Sequence, residues 1–526
     1  MHPSNLAATN PQSPIAAQSV AHHDESPRAW FESGAQAARE RGAGTASARN
    51  LILFIGDGMG PITVAAARIL EGQRRGGPGE EHLLAFEHFP HVAFAKTYNT
   101  DLQTPDSAGT MTAIVTGVKT RAGLIGLDSR ATLGVCADTD AARLPSLLEL
   151  AERAGLATGI VTTTRVTHAT PAATYAKAAD RNWEADSLVP EADRARCPDI
   201  ARQLVEFAVG DGIEVVMGGG RQMLLPSTQA DPEYPEVRGL RADGRDLIAE
   251  WQARYPTGRY LWNLADFEAL DFAQVDKVLA LFQPGHLHYE HDRPGDAAGE
   301  PSLAAMVRAA IRRLERAPKG YLLIVEGGRI DHAHHAGNAY RALTDTIALA
   351  DAVRAATELT SAEDTLIVVT ADHSHVLSFA GYSRRGNPIL GKVTDRYGNA
   401  DVRFALDGVG REYTTLSYAN GPGYAGASDT QPEGVKRYPH EASRFWPAQG
   451  GRPDLRGIDT TDPNFLQPAL LPLASETHGG EDVGVYALGP GADAVRGVME
   501  QHVIFHILLQ ANPALRAQAQ HAGPRP

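Results

Sequence analysis

Residues 321–372 read YLLIVEGGRIDHAHHAGNAYRALTDTIALADAVRAATELTSAEDTLIVVTAD. Two unbroken apolar runs, YLLIV at 321–325 and TLIVV at 365–369, flank a long stretch with helical periodicity. A strand that is apolar at every position has to be covered on both faces, and a helix between two such strands makes their pairing parallel. The first run is followed by Glu326 and the second, two residues on, by Asp372. In a parallel sheet both carboxylates emerge at one edge, the edge where α/β proteins gather their ligands.

The same pattern recurs outward from this unit. LILFIG at 51–56 closes on Asp57 and precedes the helical MGPITVAAARILEG; ATGIVTTT at 157–164 follows LPSLLELAERAG; IEVVMGG at 213–219 follows DIARQLVEFAVG. This alternation predicts an α/β chain: a doubly wound, largely parallel central sheet with helices on both faces, spanning residues 29–380. From 381 to 474 the alternation fails and long Gly- and Pro-rich stretches predict a small β-rich insertion. The core pattern returns with GVYALG at 484–489 and MEQHVIFHILLQ at 499–510, so residues 475–512 complete it. Residues 1–28 read as a mobile leading segment and 513–526 as a tail.

The 526 residues are 43% hydrophobic and carry a formal net charge of −14. That charge disfavours nucleic acid or an anionic membrane as a dedicated partner, because both need a basic face. It leaves room for an anionic substrate, since bound cations make a local positive site on an acidic protein. No apolar run reaches the roughly 18 residues that span a bilayer, and residues 1–28 contain no apolar stretch of the secretory-signal kind. Cys136 and Cys197 are the only cysteines. They read either as two buried thiols or as one disulfide closing a loop of roughly 60 residues, worth roughly 4 kcal/mol on the chain-entropy model.

Asp, Glu and His recur just past the strand-like runs, an assembly suited to two or three divalent cations. Asp57, in GDGMG, reads equally as a ligand and as a helix cap. GDGMG lacks the full glycine fingerprint of dinucleotide folds. Ser107, in TPDSAGT at 104–110, opens a small-residue helix. It reads as a cap or as a nucleophile; a serine hydroxyl needs a base or a metal to ionise it, and no GxSxG is present. Asp331 and His335 are one helical turn apart and can bind one ion from one face. His332 and His334 read as supporting or solvent-facing residues. Asp372-His373 ends the next strand, with His375 beyond it, and His478 sits in a Thr-His-Gly-Gly turn where a lone histidine is commonly structural. Glu326 and Thr170 are hard oxygen donors that, with Asp57, suit magnesium. Arg181 can fork onto two phosphate oxygens, although alone it reads as a surface arginine.

Taken together, VEGGRIDHAHH at 325–335, TADHSH at 370–375, ETHGGEDV at 476–483 and VTTTRVTHATPAATYA at 161–176 resemble the alkaline phosphatase family, nearest its animal-type branch and their bacterial relatives. The likeness covers residues 28–512. It implies a non-specific phosphate monoesterase, active on the alkaline side, that releases inorganic phosphate through a phosphoserine on Ser107. It implies one Zn2+ on Asp331, His335 and His478, a second Zn2+ on Asp57, Asp372 and His373 beside Ser107, and one Mg2+ on Asp57, Thr170 and Glu326. His168 matches the histidine that reaches magnesium through water, and Arg181 the phosphate clamp. The resemblance also implies Ca2+ at Glu233, Phe282 (through its carbonyl), Gln283 and Glu300, with two departures: Gln283 replaces an acid, which costs the site a charge, and Glu300 lengthens an aspartate. It implies a Cys136–Cys197 disulfide, a crown-like role for the insertion at a homodimer interface, and a periplasmic or secreted location. The alternative within the same superfamily is a phosphodiesterase or a sulfatase; PDSAG does not match the sulfatase context. A catalytically silent metal-binding protein would need no Ser107.

Overall fold

The computed structural model describes residues 24–395 and 403–524. Among them fifteen strands follow in chain order. They are β1 (Asn50–Gly56), β2 (His91–Lys96), β3 (Ala157–Arg165), β4 (Val215–Gly219), β5 (Arg259–Leu261), β6 (Val278–Leu281), β7 (Tyr321–Gly327) and β8 (Thr365–Ala371). Then come β9 (Ser374–His375), β10 (Leu377–Phe379), β11 (Leu416–Gly421), β12 (Ala469–Pro472), β13 (His478–Gly479), β14 (Val483–Leu488) and β15 (Gly497–Glu500). Ten of them form one sheet in the order β15-β2-β14-β8-β1-β7-β3-β4-β6-β5. Only β14 runs against its neighbours; the other pairings are parallel.

Every residue of β7 and β8 is buried. Successive strand side chains point to opposite faces, so both faces of the sheet centre are covered. Helices Leu147–Ala154, Leu303–Leu314 and Ala339–Leu359 pack on it. The expected largely parallel α/β architecture is the one observed. Register then fixes the functional edge. Gly56 lies beside Gly327 on one side and Ala371 on the other, which puts Asp57 and Asp372, one residue past their strands, next to each other and beside Glu326, near the end of β7.

Residues 381–474 hold β11 and β12, which form a three-stranded sheet with β10, and short bridges such as Lys392–Thr414 and Ser428–Phe445. Residues 1–23 of the expected mobile segment, and 396–402 of the insertion, lie outside the described residues. Pro27–Glu40 is a helix. Beyond 512, where a tail is expected, Pro513–Arg516 forms a helical turn whose Leu515 is fully buried. Cys136 and Cys197 form a disulfide, with Cα atoms 5.9 Å apart. Among the described residues no helix is long and apolar enough to cross a membrane.

Candidate metal centre

Helix Ser107–Thr116 starts beside the functional edge of the sheet. Its cap, Asp106, accepts a hydrogen bond from the Gly109 amide at 3.0 Å and so fixes Ser107 in the first turn, 1% exposed. Asp106 also accepts from Asn99 Nδ2 (2.9 Å), the Gly123 amide (3.0 Å) and Arg181 Nη1 (3.2 Å). One carboxylate therefore holds both the serine and the arginine, a link that the TPDSAGT reading leaves out.

The Ser107 hydroxyl lies 3.1 Å from His373 Nε2. The same nitrogen lies 3.4 Å from Asp57 Oδ1 and 3.3 Å from Asp372 Oδ2. His373 Nδ1 faces the Ser374 carbonyl at 3.3 Å, an acceptor only, so the ring proton sits there and Nε2 presents a lone pair. Burial holds this imidazole well below its ordinary pKa, with His478 adding to the effect, so it is neutral. A lone pair thus faces two carboxylate oxygens, and neither Asp57 Oδ1 nor Asp372 Oδ2 has a hydrogen-bond partner.

A second group repeats the pattern. His335 Nδ1 donates to the Glu476 carbonyl (2.5 Å) and His478 Nδ1 to the Pro105 carbonyl (2.7 Å). Their Nε2 lone pairs then meet at 3.1 Å, each 3.4 Å from Asp331 Oδ1. Acceptors so arranged repel one another unless a cation lies between them. A tetrahedral ion with bonds of about 2.0–2.1 Å has ligand–ligand edges of about 3.3 Å. Both groups match that spacing, so the residues present fit zinc.

A third group joins Asp57, Glu326 and His168. Thr170 donates to Asp57 Oδ2 at 3.3 Å. Thr162 and Thr164 donate to Glu326 Oε2, while Glu326 Oε1 and His168 Nδ1, both buried, have no partner. This oxygen-rich cradle fits magnesium. Burial pushes Asp57 well above the carboxylate range, and the charges of Asp372, Asp331 and Glu326 add to it. Burial likewise raises Asp372 and lifts Glu326 to about 7 against its threonine hydrogen bonds. Ionised carboxylates crowded like this need compensating cations.

Arg181 Nη2 contacts His168 Nε2 at 3.2 Å, so the arginine and the third group touch. His332 stacks edge-on against His168, ring centroids 5.4 Å apart. His334 is a core residue, bonded to Thr63 (3.0 Å) and the Tyr418 hydroxyl (2.8 Å). Three residues without an expected role also belong here. His375 bridges Asp331 Oδ1 (2.6 Å) and Glu476 Oε2 (2.5 Å). Burial opposes its charge, but these two carboxylates hold its pKa at about 10. His286 packs 4.2 Å from His332. The antiparallel pairing of β9 with β13, which sets His375 opposite His478, brings Glu476 in from 101 positions away, and no local pattern marks it.

Of the residues expected around calcium, Glu233 meets Arg221, Gln283 donates to Asp296, and Glu300 accepts from the His288 amide. Phe282 is buried, its ring packed on Phe267.

The family model described as alkaline phosphatase matches residues 48–513. The chain is 45% identical to the tissue-nonspecific alkaline phosphatase of Gallus gallus, over 88% of this chain and 84% of that one. Against the Homo sapiens tissue-nonspecific isozyme the identity is 42%, over 91% and 86%. Among solved structures, Thermus thermophilus alkaline phosphatase superposes with a TM-score of 0.62 at 25% identity, over 91% of this chain and 94% of that one. The enzyme of the Antarctic bacterium TAB5 gives 0.56 at 20%, over 89% and 98%, a likeness of fold. With the sheet, the ordered ligand segments and these matches in agreement, the chain belongs to the alkaline phosphatase family.

Proposed function

We propose that this chain hydrolyses phosphate monoesters through a covalent phosphoserine on Ser107. The observation that carries the proposal is the facing of bare imidazole lone pairs and unpartnered carboxylate oxygens around one serine hydroxyl. Asp331, His335 and His478 would hold one zinc ion and Asp57, Asp372 and His373 a second. Asp57, Thr170 and Glu326 would hold magnesium, with His168 and His332 behind them. Bound there, the cations supply ionisation of the serine hydroxyl and of water near neutral pH, and balance of the charge that develops on the leaving oxygen.

The protein's own groups do the rest. Arg181, held by Asp106, forks onto two non-bridging phosphate oxygens and orients the phosphorus toward Ser107. Ser107 Oγ bonds to phosphorus while the ester oxygen leaves with its electron pair and takes a proton as the alcohol. Water then breaks the Oγ–phosphorus bond, releasing inorganic phosphate and restoring the hydroxyl. The contacts fall on the phosphate, so discrimination among alcohols is slight.

Ser107→Ala tests the assignment. It should lower turnover of a simple monoester by at least about a thousandfold and abolish phosphoenzyme, with metal content unchanged. Full turnover in that variant would remove Ser107 from the mechanism. Parallel assays with a diester and a sulfate ester should show the monoester turned over fastest; a faster diester would move the chain to the phosphodiesterase reading.

The buried disulfide supports an oxidising destination, periplasmic or secreted. The exposed Leu470 and Leu471 on strand β12 support a homodimer formed through the crown-like insertion.

A further inference from the structure

The serine and the arginine of the proposed site come from separate parts of the chain. Ser107 opens helix Ser107–Thr116, and Arg181 lies in the loop after the helical turn Ala169–Ala172. A third segment, residues 123–126, lies between them and bonds to both. Gly123 donates its amide to Asp106 Oδ2 (3.0 Å) and accepts the Arg181 amide on its carbonyl (2.9 Å). Two residues on, Ile125 and Ala178 exchange both backbone hydrogen bonds, each 3.0 Å long, in an antiparallel bridge. The arginine is therefore held twice: its guanidinium by Asp106 and its backbone by Gly123.

The serine helix grips the same segment from its other side. The Thr112 hydroxyl donates to the Leu124 carbonyl (3.2 Å) and accepts the Gly126 amide (3.0 Å). One atom both gives and takes a hydrogen bond here, which a hydroxyl can do and a methyl cannot. Thr112, Leu124 and Ile125 are fully buried, so no water competes for these bonds. Gly123 has a φ of +79°, and a Cβ there would stand 2.6 Å from Leu133 Cδ1. Glycine takes that left-handed backbone without strain, and a residue with a side chain does not. The position of the arginine relative to the serine thus follows from backbone contacts as well as from Asp106.

We propose that residues 123–126 set the spacing between Arg181 and Ser107, with Thr112 and Gly123 as positioning residues. This rests on the reading of Ser107 as nucleophile and Arg181 as phosphate clamp. A displacement of about 1 Å in a group that orients substrate can cost about a hundredfold. The arginine grips phosphate before the reaction as well as during it. Its displacement therefore weakens phosphate binding and raises KM more than it lowers kcat.

The test uses protein loaded with zinc and magnesium. Thr112→Val keeps the shape of the side chain and removes both of its bonds to the segment. Thr116→Val is the matched control: Thr116 is equally buried in the same helix, but its hydroxyl bonds to the Thr112 carbonyl (2.7 Å) and the Val118 amide (3.3 Å). Both variants should unfold at lower temperature. Thr112→Val alone should bind inorganic phosphate, followed by calorimetry, at least about tenfold more weakly, with KM raised and zinc content unchanged. Thr112→Ser, which keeps the hydroxyl, should bind phosphate as the wild type does. Arg181→Ala, measured alongside, separates the two readings. Unchanged phosphate affinity in Arg181→Ala removes the clamp, and the proposal with it. A loss in Arg181→Ala with none in Thr112→Val, or an equal loss in Thr116→Val, overturns the proposal and leaves the clamp standing. Should Thr112→Val not fold, Gly123→Ala decides: weakened phosphate binding with phosphoenzyme still formed supports the proposal, and wild-type affinity overturns it.

Discussion

Glu476 reaches three groups around the proposed cation sites. Its Oε2 takes a hydrogen bond from His375, which in turn holds Asp331; its Oε1 takes the Val376 amide at 2.8 Å; its backbone carbonyl sets the tautomer of His335. Two of the three proposed ligands in the Asp331 group thus depend on one buried glutamate. Glu476→Gln keeps the shape and the carbonyl but removes the charge facing His375. It should weaken zinc retention about 10–100-fold in competition with a chelator, with Ser107 still in place. Unchanged retention would make Glu476 a packing residue. At this scale the sequence was legible where a candidate side chain sits beside a local signature. Asp57, Glu326 and Asp372 lie at or just past strand ends, and Asp331 with His335 on one helical turn. The contacts of Glu476 and His286 join distant segments, which periodicity and spacing do not encode.

Among the elements, the joint between helix Leu147–Ala154 and β3 buries a second unusual carboxylate. Glu152 is 3% exposed; its Oε1 accepts from the Thr158 hydroxyl at 2.5 Å and its Oε2 has no partner. Burial raises its pKa to about 7 from 4.5, against the Thr158 hydrogen bond and with help from Glu214. The folded protein keeps this proton where the unfolded chain has released it. The stabilisation is therefore whole below about pH 4.5 and is lost as pH rises through about 7. Glu152→Gln carries no such proton, so it should gain on the wild type across that window, by up to about 3 kcal/mol at pH 8. Chemical denaturation at pH 4.5 and pH 8 checks this; a difference that does not change with pH contradicts it. The strand order itself was only partly readable. The βαβ alternation foretold parallel pairing around β1, β7 and β8. The reversed β14 and the two-residue pair β9–β13 are too short, or too context-dependent, for a pattern to reveal.

For the whole molecule, the inserted β-rich region is tied to the α/β core by hydrogen bonds such as Gln73 Nε2 to the Asn387 carbonyl (2.7 Å) and the Ala339 amide to Gln467 Oε1 (2.6 Å). The insertion was visible as a failure of alternation, but its internal bridges rest on pairings between loops. The Cys136–Cys197 bond closes a separation of 61 residues, which on the chain-entropy model is worth about 4 kcal/mol. Replacing both cysteines by serine should lower the unfolding temperature while leaving turnover per folded molecule intact; an unchanged unfolding temperature would show that the bond adds nothing to stability.

The most direct measurement is elemental analysis of the purified protein, paired with monoester turnover before and after chelation. Two zinc ions and one magnesium ion per chain, with turnover lost on chelation and restored by adding both metals, is the predicted result. Full turnover from protein that contains neither metal would contradict the account.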